Sequence, residues 1–352
     1  GADNGASGGD EAAPRAQPMP LAAMSLVHPP GARIGPFIAD KVIAQKEGSA
    51  LCLAFYDAPP NPPTPLASFA SSIPTSRVTD AAPCVVIKTQ WWHKKNAQRE
   101  RRICDALQFS PHGNIATVYA TFVLDRHVHI VVEHCKTDVF DFLQHAVRHP
   151  TTRVIASAND VLQGLSDEMV RYFAASIASA LAHLHSMFIA HRDIKLENVL
   201  LTHLGRVKVT DFDLSAPYPD KELWTVDEDG VPWVQGKAGT MAYIAPEVMA
   251  SPTPRYNPYH ADVWSLGICI YSMRSNRLYD REGIAGMVET ARGTGSKYIR
   301  VMWRRYFAPA LGDALDACLS IDPWDRKDGL ARTVALMPQP PELCDRVLPA
   351  VL

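Results

Sequence analysis

Two short stretches gather most of the side chains that could do chemistry. The first is His191-Arg192-Asp193-Ile194-Lys195-Leu196-Glu197-Asn198; the second, Asp211-Phe212-Asp213, begins eighteen residues after Asp193. Together they supply carboxylates, an amide oxygen and a lysine. Oxygen donors suit a hard divalent cation, and cations of both kinds suit phosphate. Upstream, the run Cys84-Val85-Val86-Ile87-Lys88 reads as a buried strand that ends on a lysine. Downstream come Ala245-Pro246-Glu247 and Asp262-Val263-Trp264-Ser265-Leu266-Gly267.

In this order, over about residues 33–335, the motifs resemble those of the eukaryotic protein kinases. The resemblance implies an α+β, two-lobed protein-kinase-like fold, with ATP and Mg²⁺ as cofactors if the pocket is open. It also implies a role for each position, because phosphoryl transfer needs a charged phosphate held in line with a hydroxyl. Lys88 would hold the inner phosphates and Glu100 would orient its ammonium. Read without the resemblance, Glu100 is one more solvated charge on a basic helix. Asp193 would orient the substrate hydroxyl and accept its proton. Asn198 and Asp211 would bind Mg²⁺. Lys195 matches the Ser/Thr form of the loop and would contact the γ-phosphate; Gly239–Tyr243 resembles the matching substrate platform. Val132 falls at the gatekeeper position and Glu133 to Cys135 at the hinge. Ala54 and Leu200 would sandwich the adenine, though plain core packing explains them equally. Glu247 and Arg326 resemble a buried structural ion pair. Arg192 is expected to be neutralised from the segment Asp211–Glu247. The partner would be a phosphate on Thr225 or one of Asp220, Glu222, Asp227, Glu228 and Asp229.

The elements that must position these groups follow from periodicity. Residues 33–135 read as a strand-rich lobe, with apolar runs around Gly48, a strand to Lys88, and strands over Ala116–Val123 and Val128–Glu133. Lys94–Leu107 is helical, with Ile103 and Leu107 on one face and the basic residues on the solvated face. Residues 136–352 read as a helical lobe. Its helices are Asp138–Val147, a long one capped by Ser166, Asp262–Arg274 and Ala310–Leu319, with short strands about 199–210. Residues 1–32 read as a flexible arm, 57–83 as a Pro-rich insertion, and 148–166 as a loop.

Three features depart from the kinase pattern. The glycines of the phosphate loop fall on Ala44, Lys46 and Ser49, with Gly48 out of register. A Cβ at each position should weaken the backbone clamp on phosphate. Lys46 brings charge there, but on a flexible stem. Asp213 stands where glycine is usual, and would restrict that turn or add a carboxylate near the metal. The Pro-rich insertion is the third. Catalytic residues kept with the glycines lost resemble the WNG (with-no-Gly-loop) group of secreted apicomplexan kinases and pseudokinases. That likeness alone implies secretion to the parasitophorous vacuole or cyst wall, near membranes.

The chain has 352 residues, 47% hydrophobic and 20% charged, with a net charge of -2. Wholesale disorder and a general nucleic-acid binder are both excluded on that balance. No apolar run reaches transmembrane length, so the chain as given is expected to be soluble. The basic run Lys94–Arg102 is expected to be mainly solvated rather than a membrane or polyanion site. The seven cysteines include no C-x-x-C pair. They are either scattered thiols or a few disulfides, with Cys318 and Cys344 the first pair to test. Three functions stay open: an active Ser/Thr kinase with a protein substrate, a pseudokinase scaffold binding a protein partner, and other nucleotide chemistry. Nothing in the sequence sets the oligomeric state.

Overall fold

The computed structural model describes residues 26–57, 85–149, 163–228, 231–277 and 307–337. The bulk of the arm, the insertion and the 148–166 loop, together with Cys84, Asp229 and Cys344, lie outside the described residues.

The first lobe is an antiparallel sheet with one helix. Its strands are β1 (Arg33–Ile34), β2 (Phe37–Lys46), β3 (Ser49–Tyr56), β4 (Val85–Trp91), β5 (Val118–Leu124) and β6 (His127–Glu133), in the order β1-β2-β3-β4-β6-β5. β2 and β3 pair up to Lys46 and Ser49, so only Glu47 and Gly48 make the turn. Gly48 has φ +78°, which a side chain rarely adopts. β4 does not end on Lys88 as expected. Thr89, Gln90 and Trp91 go on pairing with His129, Val128 and His127 of β6.

The period of two along these strands sorts two faces. Phe37, Cys52, Ala54, Val85, Ile87 and Val131 close a small outer core with Ile34, Ala39 and Ala120. Leu51, Val86, Lys88, Ile130 and Val132 alternate with them and line the cleft between the lobes. Residues 26–32, grouped with the arm in the sequence, pack on this lobe: Leu26 is buried and Gly31 N–H donates to Ala39 O at 2.8 Å.

The helix α1 (Lys95–Phe109) lies across the inner face. It buries Ala97, Arg99, Glu100, Ile103, Cys104 and Leu107. The expectation that the basic residues lie mainly on the solvated face fails at Arg99, which is only 7% exposed. It is buried because a carboxylate from the second lobe meets it, as described below.

The second lobe begins with β7 (Thr137–Asp138) and α2 (Val139–Arg148), where the Asp138 side chain accepts from Asp141 N–H at 2.8 Å as N-cap. The central helix α3 (Asp167–Ser186) starts at Ser166, whose Oγ accepts from Met169 N–H. Short strands follow: β8 (Ile189–Ala190), β9 (Val199–Leu201), β10 (Val207–Val209), β11 (Ala216–Pro217), β12 (Trp224–Val226) and β13 (Pro232–Gln235). Then come α4 (Pro246–Met249), β14 (Arg255–Tyr256), α5 (Pro258–Ser275), α6 (Pro309–Cys318) and α7 (Gly329–Val334). β8 pairs with β11, and β9 lies between β7 and β10, which brings residues 189–217 together under the cleft.

One large apolar core runs from α1 and β6 through α3 to α5 and α6. Near its far end the Arg326 guanidinium is fully buried. It donates to both Glu247 oxygens at 2.7 and 3.0 Å and to Ser320 O at 2.7 Å, and lies over the Trp264 ring. Cys52, Cys104, Cys135, Cys269 and Cys318 are free thiols. Cys318 Sγ faces Thr333 Oγ1 at 3.6 Å inside the core. Among the described residues no helix is long and apolar enough to cross a membrane.

Candidate active site

Lys88 sits on the cleft face of β4, and its ammonium is held between two carboxylates. It donates to Glu100 Oε1 of α1 and to Asp211 Oδ1, each at 2.7 Å. Glu100 is 2% exposed, so the solvated-charge reading of it is overturned. Burial disfavours the ammonium, but the charges of Glu100 and Asp211 outweigh it and raise the Lys88 pKa above the ordinary lysine value. Burial likewise opposes ionisation of Asp211, yet Lys88 holds its carboxyl well below the usual carboxylate range. Glu100 shifts the other way: burial raises its carboxyl above the ordinary glutamate value, against the opposing pull of the Lys88 charge.

Asp193 lies on the loop between β8 and β9. Its Oδ1 accepts from the Thr240 N–H at 2.9 Å and the Thr240 hydroxyl at 2.8 Å. Its Oδ2 accepts from Lys195 Nζ at 2.9 Å and from Asn198 Nδ2 at 3.1 Å. Lys195 also donates to Thr240 Oγ1 at 2.9 Å. The loop is braced from α5: the Asp262 carboxylate accepts the N–H groups of His191 at 2.8 Å and Arg192 at 2.7 Å. That brace fixes Arg192 at φ +67°. Gly239 approaches the same backbone, and a Cβ there would lie 2.7 Å from Arg192 O. Only glycine admits Thr240 to its place on Asp193.

Lys88, Glu100, Lys195, Asn198 and Asp211 open onto a cavity of about 660 Å³ between the lobes. Leu200, Val132, Glu133 and Cys135 line it, as do Ile43, Leu51 and Val86. Ala54 does not, and the sequence reading is corrected here. Leu51 and Ala54 are three apart on one strand, so they face opposite sides. Ala54 is fully buried in the outer core, and Val86, two residues before Lys88, lies on the cleft side instead. The Glu133 carboxylate is committed to structure. It accepts from Thr117 N–H at 2.6 Å and pairs with Lys208 at 2.8 Å. Burial and the nearby Glu133 charge push the Cys135 thiol up to about 12, so it is a neutral lining group.

Asn198 spends its Nδ2 on Asp193 and leaves Oδ1 without a hydrogen-bond partner among the described residues. Among the described residues, Asp211 Oδ2 meets only Lys46, at 3.7 Å. Two oxygens are thus available on adjacent walls. Among the described residues no cluster of three or more His, Cys, Asp or Glu side chains could hold a metal alone. Two protein oxygens fit Mg²⁺, which takes its other ligands from water and phosphate.

The departures resolve differently from the sequence expectation. The left-handed residue of the Asp211-Phe212-Asp213 turn is Asp211, at φ +66°, and Asp213 needs no glycine-like conformation. Among the described residues the Arg192 guanidinium meets neither Thr225 nor a carboxylate of the segment Asp211–Glu247: its Nε donates to the Tyr256 hydroxyl at 3.1 Å. Thr225 is exposed on β12. Asp220, offered as a partner for Arg192, goes instead to α1. It accepts from Arg99 Nε at 3.0 Å with both side chains buried, and from Arg102 at 3.4 Å. Glu222 adds Lys95 at 2.8 Å. The sequence reading placed Thr240 in the substrate platform and Asp262 in a family motif, but gave neither its contact with the Asp193 loop. The spacing that puts Gly239 before Thr240 was the available signal for the first.

The protein kinase domain family matches residues 83–331. A stretch of 173 residues is 32% identical to testis-specific serine/threonine-protein kinase 5 of Mus musculus, covering 49% of this chain and 41% of that protein. Over 235 residues it is 28% identical to 3-phosphoinositide-dependent protein kinase 1 of Arabidopsis thaliana, covering 64% and 41%. Over 175 residues it is 34% identical to a cAMP-dependent protein kinase catalytic subunit of Arthrobotrys oligospora, covering 49% and 27%. The matched stretch is thus less than half the length of each of these relatives. The family match takes in the Lys88 strand, the Asp193 loop, Asp211 and the Glu247–Arg326 pair, and spans well over half of the sequence: the chain belongs to the protein kinase domain family.

Proposed function

We propose that this chain is a Ser/Thr protein kinase that moves the γ-phosphate of ATP to a protein hydroxyl. The observation that carries the reading is the Lys88 ammonium fixed at 2.7 Å from both Glu100 and Asp211, inside a cavity that also presents Lys195 and Asn198. Bound ATP with Mg²⁺ would supply the electrophilic phosphoryl group. The residues would divide the rest: Lys88 holds the inner phosphates, and Asp211 Oδ2 with Asn198 Oδ1 ligates the cation. Lys195 neutralises the transferring phosphate, and Asp193 orients the hydroxyl and takes its proton. A carboxylate offers about four acceptor sites, and Thr240, Lys195 and Asn198 fill those of Asp193. An incoming hydroxyl must therefore displace the Thr240 hydroxyl, the most readily exchanged of these donors. The test is transfer of labelled γ-phosphate to a generic protein substrate by wild type and Asp193→Ala. Transfer by wild type that drops about 10²–10⁴-fold in the variant supports the reading; equal transfer by both sinks it.

A second reading, a pseudokinase acting as a scaffold for a protein partner, is favoured by the filled acceptor sites of Asp193 and by the hairpin tip without its glycines. It predicts no transfer and weak or absent ATP/Mg²⁺ binding, with partner binding unchanged in Asp211→Ala. The finer placement, with the WNG group and in a parasitophorous vacuole or cyst wall, is supported by the missing glycines alone. Immunolocalisation in the source organism tests it, and a cytosolic signal would overturn it.

A further inference from the structure

The hairpin tip is built differently from a glycine cradle. β2 and β3 stay paired as far as Lys46 and Ser49, leaving two turn residues and few free amides. Lys94, the residue before α1, reaches over the turn and donates to Glu47 O at 3.4 Å. A Cβ on Gly48 would collide with that lysine side chain. The tip is therefore tied to the start of α1 instead of hanging free over the cleft.

Lys46 leaves this tied tip in the inward direction. Its side chain is 73% exposed along its length, yet its ammonium turns into the cavity and stands 3.7 Å from Asp211 Oδ2. Lys88 holds the other oxygen of the same carboxylate at 2.7 Å from a buried position. One carboxylate thus carries two ammonium groups, one tight and deep, one loose and at the mouth. A loose, exposed ion pair adds little to stability and is easily exchanged.

We propose that Lys46 is a phosphate-binding residue that replaces the missing glycine amides and engages the terminal phosphate of the bound nucleotide. This rests on the nucleotide-binding reading above. Asp211 cannot hold two ammonium groups and also ligate a divalent cation at full strength, so the looser partner is released. The nearest anion for the released ammonium is the polyphosphate in the same cavity. Lys88 lies deep and meets the inner phosphates; Lys46 lies at the mouth and meets the outer one.

The test is titration calorimetry of the full chain with ATP and with ADP, both in Mg²⁺ buffer at one ionic strength. The variants are Lys46→Met, Lys46→Arg and, as a control for charge on the same strand, Lys41→Met. Lys46→Met is expected to weaken ATP about tenfold, or about 1.4 kcal/mol, and to weaken ADP far less. Lys46→Arg should restore most of the loss, and Lys41→Met should change neither. ATP binding by Lys46→Met equal to wild type, or an equal loss in Lys41→Met, would overturn the assignment. An equal loss for ATP and ADP would overturn the terminal phosphate as its target. Wild type that binds neither nucleotide would remove the kinase reading and this one together.

Discussion

Lys88 shows how much one side chain organises. Its ammonium is the only cation within 4 Å of Glu100 among the described residues, and it is the close partner of Asp211. Replacing it with Met would leave two carboxylates near one another, Glu100 buried and Asp211 partly so. Lys88→Met is expected to lower phosphoryl transfer by about a hundredfold or more, and to lower thermal stability, because breaking a buried pair strands a charge. Transfer kinetics together with melting curves check both parts. At this scale the sequence was legible where function and spacing coincide. Asp193, Lys195 and Asn198 are close neighbours in the chain, and the strand carrying Lys88 reads as buried. Ala54 was misplaced because an alignment across missing glycines ignores the alternation of a strand. The bond from Thr240 to Asp193 went unforeseen because it spans 47 residues of chain, which no local pattern reports.

Helix α1 carries Glu100 to Lys88, so whatever fixes the helix fixes the pair. Here it is fixed by Asp220, held against Arg99 inside the protein. Asp220→Asn leaves the buried Arg99 with only the looser Glu222 carboxylate at 3.9 Å among the described residues, and should cost up to about 3 kcal/mol. Burial pushes the Asp220 carboxyl upward, but Arg99 and Arg102 overcome it and hold it below the ordinary aspartate value. A depressed value means that the unfolded chain takes up the proton first as pH falls. The stability gap between wild type and Asp220→Asn should therefore be full above about pH 4 and shrink as pH drops through the lower folded-state value. Urea unfolding from pH 6 to pH 3 measures it, and a gap that stays constant would refute the account. Element types were largely legible, since the helices show their caps and faces. The buried Arg99 was not, because a charged residue goes inside only when a distant partner is waiting.

Beside the small outer core of the first lobe, the larger core crosses the division into lobes. Ile103 and Leu107 of α1 belong to the same apolar cluster as Phe173 of α3 and Leu266 of α5. Arg326 anchors its far end, with no exposed surface and partners on several segments. Arg326→Met removes the only cation near Glu247 among the described residues and is expected to cost about 3–5 kcal/mol. Calorimetry should show a clear drop in Tm; an unchanged Tm would contradict it. The two-lobed plan was legible from strand-rich and helix-rich halves, but periodicity says nothing about which halves share a core. A chain severed between residues 135 and 136 would therefore not yield two proteins. Each fragment would carry half of a torn apolar surface, and the pair would be soluble only in each other's company.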